Sequence, residues 1–66
     1  TALISAARNG AIEPVRLLLE RGANVDIAVP VTRFDGTREV RTALNQAQAN
    51  DHDEIVALLV AHGAVR

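Results

Sequence analysis

TALISAARNGAIEPVRLLLERGANV, residues 1–25, is written again as TALNQAQANDHDEIVALLVAHGAVR, residues 42–66. At an offset of 41 residues, 11 of the 25 positions are identical. A chain this rich in Ala and Leu would give about two or three such matches by chance. The chain is therefore a duplicated unit with a connector, residues 26–41, between the copies. A fixed internal period decides the fold before any single residue does, because each copy is one supersecondary unit that must stack on a neighbour.

Each copy reads as a helical hairpin. Thr1 is an N-cap whose hydroxyl accepts from first-turn amides, and residues 2–8 form a short helix with Leu3, Ala6 and Ala7 on one side. Asn9-Gly10 ends it, the glycine being free to take φ > 0. A longer helix follows over residues 12–20. Its apolar set of Ile12, Val15, Leu17, Leu18 and Leu19 is too broad for a one-sided surface helix. Pro14 sits in the first turn, where a missing N–H costs nothing, and Gly22 is the stop. In the second copy Thr42 caps residues 43–49, Asn50-Asp51 replaces Asn9-Gly10, and a helix runs over about 53–62 to Gly63. Asp51 with Glu54 reads as a capping box for that last helix.

The connector switches from helical to period-two patterning: Val25, Ile27, Val29 and Val31 alternate. Asp35-Gly36 is a two-residue hairpin turn signal. Pairing outward from it sets Phe34 opposite Thr37, Thr32 opposite Glu39 and Val31 opposite Val40, in a projecting β-hairpin over residues 29–34 and 37–41. Pro30 is acceptable in a two-stranded ribbon, where every strand is an edge.

Helix–turn–helix units joined by a β-hairpin resemble ankyrin repeats, and the motif residues carry the resemblance. The T-P-L-H-x-A stretch of that family is similar to Thr1-Ala-Leu-Ile-Ser-Ala6 and Thr42-Ala-Leu-Asn-Gln-Ala47. Asn9-Gly-Ala-Ile-Glu-Pro-Val-Arg-Leu-Leu-Leu19 resembles its second-helix motif, and Gly22-Ala-Asn-Val-Asp26 its closing motif. The second copy matches at Asn50, Glu54, Val56, Leu58, Leu59, Gly63 and Ala64. The family's Pro is Ala2 and Ala43 here, and its His is Ile4 and Asn45. The hydrogen bonds that His makes to neighbouring loops are expected to be missing or replaced. The period of 41 exceeds the family's roughly 33. The extra length falls in the connector, where the family carries its β-hairpin fingers, and a loop insertion of that size costs little stability.

The resemblance implies an all-α repeat solenoid of two helix–turn–helix units joined by an extended β-hairpin. Residues 1–25 are then the first repeat, 26–41 the finger, and 42–66 a second repeat of capping type. The capping reading comes from the differences between the copies. Ser5, Ala7, Gly10 and Ile12 become Gln46, Gln48, Asp51 and Asp53, so one surface of the second copy is expected to face water. The first copy is expected to keep an open apolar face on its other side, with Leu3, Ile4, Ile12 and Leu17 as candidates for self-association.

Composition narrows the function. Formal net charge is −1, and all seven basic residues are scattered arginines. Neither nucleic acid nor a membrane surface is an expected partner. No apolar run approaches the ~18 residues of a spanning helix. The absence of Cys excludes disulfides and thiolate metal sites and suits an intracellular, cytoplasmic setting. With no Met and Thr1 first, the sequence reads as a segment of something longer, or as a trimmed chain.

No catalytic set emerges. Ser5 is the only serine, and a Ser–His pair would require His52 or His62 beside it with a third orienting group. Thr1 is read as a helix cap rather than as an N-terminal nucleophile, because Thr42 fills the same place internally. His52 with Asp51, Asp53 and Glu54 does not read as a metal site, since consecutive residues at a helix start converge poorly on one ion. The acids suit the positive end of a helix dipole. No cofactor is expected.

The finger is the stronger candidate. Phe34 is the only aromatic in the chain and stands next to the hairpin turn, flanked by Arg33 and Arg38. An exposed aromatic among arginines is the composition of an interface hot spot. Asp35, Glu39 and Arg41 complete the charged ribbon, whose plainer role is to keep a sheet edge from aggregating. Arg8, near the end of the first helix, matches a position that the resemblance implies contacts partners. The expected function is a non-catalytic protein–protein interaction module that displays the finger and first-helix surface. The rival expectation is a purely structural C-terminal cap of a larger protein.

Overall fold

Four helices and one hairpin make up the computed structural model, which describes residues 1–64. The chain order is α1 (Ala2–Asn9), α2 (Ile12–Glu20), β1 (Val29–Thr32), β2 (Arg38–Arg41), α3 (Ala43–Ala49) and α4 (Asp53–Ala61). The end of the second copy, at Val65 and Arg66, lies outside the described residues.

The helix boundaries follow local chemistry. Thr1 Oγ1 accepts from the Ile4 N–H at 3.1 Å. Gly10, at φ 75°, closes α1 in the left-handed region. Asp51, at φ 58°, does the same in the second copy, a conformation that Asp and Asn tolerate through local side-chain bonding. The expected capping box moves. His52, not Asp51, is the residue before α4, and it makes no side-chain cap bond. The reciprocal pair forms one helix earlier, where Thr42 Oγ1 accepts from Asn45 N–H and Asn45 Oδ1 accepts from Thr42 N–H, each at 3.0 Å. Asn45 reaches there because it stands at N3, and its other end donates to the Val40 carbonyl at 2.7 Å. That bond ties the finger base to α3. It replaces a loop contact expected to be lost with the family's His.

The helices form two layers, with α1 against α3 on the finger side and α2 and α4 outside. Among the described residues, twelve buried side chains form one core, of which Ile55, Leu59 and Val15 are the largest fully enclosed. Four of the twelve are alanines, Ala7, Ala43, Ala47 and Ala64, which let the backbones approach closely. Leu3 and Ile4 belong to this core, and Ile12 is half-buried against it. The expectation that they form an open face is therefore corrected. The short α1 turns Leu3 and Ile4 inward, leaving Leu17 exposed at 47% in a hollow it shares with exposed Pro14. In the second copy Gln48, Asp51 and Asp53 are exposed and Gln46 is half-buried.

The hairpin differs from its expected register by one residue. Val29 pairs with Arg41, Pro30 with Val40, Val31 with Glu39 and Thr32 with Arg38. Arg33 N–H donates to the Thr37 carbonyl at 2.7 Å, and Gly36 N–H to the Arg33 carbonyl at 2.9 Å. The loop therefore holds three residues, Phe34, Asp35 and Gly36, with Gly36 at φ 87°. A type I turn followed by a left-handed glycine matches strand twist as well as the two-residue turn does. Asp35 settles the choice, because its carboxylate accepts from the N–H and hydroxyl of Thr37 at 3.0 and 2.6 Å.

Candidate functional site

A one-residue register change sends every side chain of a strand to the opposite face. On β2 it turns Glu39 and Arg41 toward the side of Val29 and Val31, which are half-buried, and leaves Val40 exposed at 56%. The finger thus has an inner face of Val29, Val31, Glu39 and Arg41 and an outer face of Pro30, Thr32, Arg38 and Val40.

The inner face is organised by one carboxylate. Glu39 receives Arg41 Nε on one oxygen at 2.6 Å and Arg33 Nη2 on the other at 2.8 Å. The Arg41 bond, then the Arg33 bond, hold the Glu39 carboxyl below its ordinary value of 4.5. The Thr37 hydroxyl, then the Thr37 N–H, lower Asp35 in the same way. Both carboxylates are spent on fixing the finger's shape. The guanidiniums of Arg33 and Arg41 keep further N–H groups free, since each carries five donors.

Between this face and α1 lies a cleft of about 150 Å³. Ile4, Val29 and Val31 form its floor, and Ser5, Arg8 and Arg41 its rim. A second, shallower hollow continues from it past Val31 and Arg41 to Arg33 and Phe34. Phe34 is fully exposed at the tip. The structure therefore brings together Arg8, Arg33, Phe34, Glu39 and Arg41 along one side. Asp35 sits in the turn as its brace. Arg38 stands apart, on the outer face, although sequence proximity had grouped it with Phe34.

Sequence reasoning missed the part played by His52. Its ring bonds the Arg8 carbonyl at 3.1 Å, 44 residues away in sequence. A carbonyl only accepts, so Nε2 carries the proton. The ring lies over Gly10, where an added Cβ would come within 2.6 Å of Cε1. Glycine is thus required at residue 10 twice, for its positive φ and for this close approach. The pairing of a polar ring at the start of α4 with Gly10 in the equivalent turn of the first copy was the signal available. His62 is occupied by the Leu58 carbonyl of its own helix at 2.9 Å. Among the described residues no three metal-ligating side chains gather. The cleft that contains Ser5 holds no histidine.

Two stacked helix–turn–helix units with a hairpin projecting beside the inner helices define a repeat-solenoid protein. The family model for ankyrin repeats, which describes three copies, matches residues 1–65. The chain belongs to the ankyrin-repeat family. Among solved structures, none matches it. Ankyrin repeats generally serve as protein–protein interaction modules, and the family is typically not enzymatic. Among the described residues no helix is long and apolar enough to cross a membrane.

Proposed function

We propose that the chain is a non-catalytic interaction module that presents its finger and first-helix surface to a partner protein. The observation that carries this reading is Phe34, held fully exposed on a turn braced by Asp35 and Thr37. A large aromatic in water is a cost that a rigid turn does nothing to relieve, and a preorganised aromatic loses little entropy on binding. Arg8, Arg33, Asp35, Glu39 and Arg41 lie on the side of the finger that leads to it, with Glu39 fixing two guanidiniums in place, while Arg38 stands on the outer face. In this reading residues 1–25 are an internal-type repeat, 26–41 the finger and 42–66 a cap. Self-association, expected through the open face of the first unit, rests on exposed Leu17 beside Pro14.

The rival reading, a structural cap of a larger protein, is favoured by the exposed Gln48, Asp51 and Asp53 on the second copy. The two readings diverge in one experiment. A photoreactive phenylalanine analogue at Phe34 is expected to cross-link a discrete partner protein, whereas the same label at Glu20, on the outer layer, yields none. Equal labelling from both positions, or none from Phe34, favours the cap.

A further inference from the structure

The charges of this molecule are sorted by layer. The finger and α1 carry Arg8, Arg33, Arg38 and Arg41 against Asp26, Asp35 and Glu39. The outer helices, with the turns that flank them, carry Glu13, Glu20, Asp51, Asp53 and Glu54 against Arg16 and Arg21. A chain of net charge −1 thus has a positive front and a negative back. At the centre of the positive side is the cleft with Ile4, Val29 and Val31 as its floor and Arg8 and Arg41 on its rim. Its lining residues include no carboxylate, and Glu39, on the same finger face, is held by Arg41 and Arg33.

Size and chemistry select its occupant. About 150 Å³ is well under the roughly 300 Å³ at which small-molecule sites begin, but it accommodates one side chain of a peptide. The aliphatic floor asks for an aliphatic group. The rim asks for an anion, because Arg41 gives only its Nε to Glu39 and Arg8 forms no ion pair among the described residues. Guanidiniums pair with carboxylates bidentately. A polynucleotide fits less well, since the floor offers no stacking surface and the chain contains no lysine.

We propose that this cleft holds an extended acidic segment of a partner protein. One aliphatic side chain is seated on Ile4, Val29 and Val31. A neighbouring carboxylate is held by Arg8 and Arg41, and Phe34 covers the segment where it leaves at the finger tip. The proposal rests on reading the chain as an interaction module and names the chemistry of its partner.

The probe is a short fluorescent peptide alternating Leu and Asp, titrated against the full chain by anisotropy, with Leu–Lys and Leu–Gln peptides and an oligothymidylate as comparators. The Leu–Asp peptide is expected to bind best and to weaken as salt rises. Arg8→Glu is expected to weaken it by about tenfold, the scale of one lost charge-assisted contact. The substitution spares the backbone carbonyl that His52 engages, and circular dichroism verifies the fold. Arg38→Glu, on the outer face, is expected to leave binding unchanged. Equal binding of the three peptides, no binding of the acidic one, equal loss with Arg38→Glu, or equal competition by the oligothymidylate would overturn the proposal. A partner cross-linked through Phe34 whose binding ignores Arg8→Glu removes the acidic inference and leaves the interaction module standing. Absence of any adduct at Phe34 removes the module itself.

Discussion

The two helix pairs repeat one sequence plan and bury the same central positions, Leu3 with Leu44 and Val15 with Val56, but they differ in which flank is covered. Ala43 and Ile55 of the second pair are each 1% exposed, while Ala2 and Pro14, which hold the same places in the first pair, face solvent. Conversely Ala7 is fully buried and Ile12 half-covered, while their counterparts Gln48 and Asp53 are exposed. Ile55 lines the same small cleft as Gly10 and Ile12, so the difference lies at the seam where the pairs meet. The comparison teaches that a repeat specifies its own helices, whereas its place in the stack decides which side of them is covered. It also gives the two ends of this stack different character, apolar around Leu17 and polar around Asp51 and Asp53.

The largest expected effect tests that seam. Ile55→Ala is expected to destabilise by about 2–5 kcal/mol, because it leaves a cavity in a small core. Pro14→Ala, at the same repeat position, is expected to stay within about 0.5 kcal/mol. Urea unfolding followed by circular dichroism measures both. Comparable losses would mean that the first pair is covered on its open side too, and the asymmetry would fail.

A smaller effect is expected where His52 meets Gly10. Gly10→Ala carries the left-handed penalty of roughly 1–2 kcal/mol for a residue with a Cβ. It also drives the new methyl into the His52 ring. Gly22→Ala, at φ 83° with open space around it, carries the backbone penalty alone and is expected to cost less. His52→Ala in the Gly10→Ala background is expected to recover part of the difference between them. If it recovers nothing, the ring gives way freely and the seam is looser than its geometry suggests.

The smallest effect concerns the finger against the helical body. Glu39 and Asp35 both have lowered folded-state values. The sign follows directly: a depressed carboxylate favours the folded arrangement at neutral pH, above its unfolded value, and that contribution is lost as pH falls through the folded value. For Glu39 the loss begins near 4.5 and is complete below its lowered value. Amide hydrogen exchange at Arg33 and Thr37 is expected to quicken across that window while the helices stay protected. Simultaneous loss of protection in finger and helices would show the two to be one cooperative unit.

Much of this was legible in the residues. The helix ends follow from Thr1, Thr42, Gly10 and Gly22, because caps and left-handed stops act within one turn of chain. The family followed from the same short motifs, present twice. The finger's existence was legible in the alternating valines around an Asp-Gly pair, but its register was not. A two-residue and a three-residue loop share that signal, and the bonds from Thr37 to Asp35 select between them. The register in turn decided that Arg41, and not Arg38, shares a cleft with Arg8.

The sequence alone determined the elements of this protein: four helices, a hairpin, a repeat and an ankyrin-like plan. Local propensity, capping and period are written in neighbouring residues and need no partner elsewhere. Only the tertiary structure decided which faces are covered, that His52 clasps the Arg8 carbonyl, and which arginines line the finger's inner face. Those outcomes depend on contacts between residues tens of positions apart. They are fixed when two copies of one helix pair pack together and each closes a different side of the other.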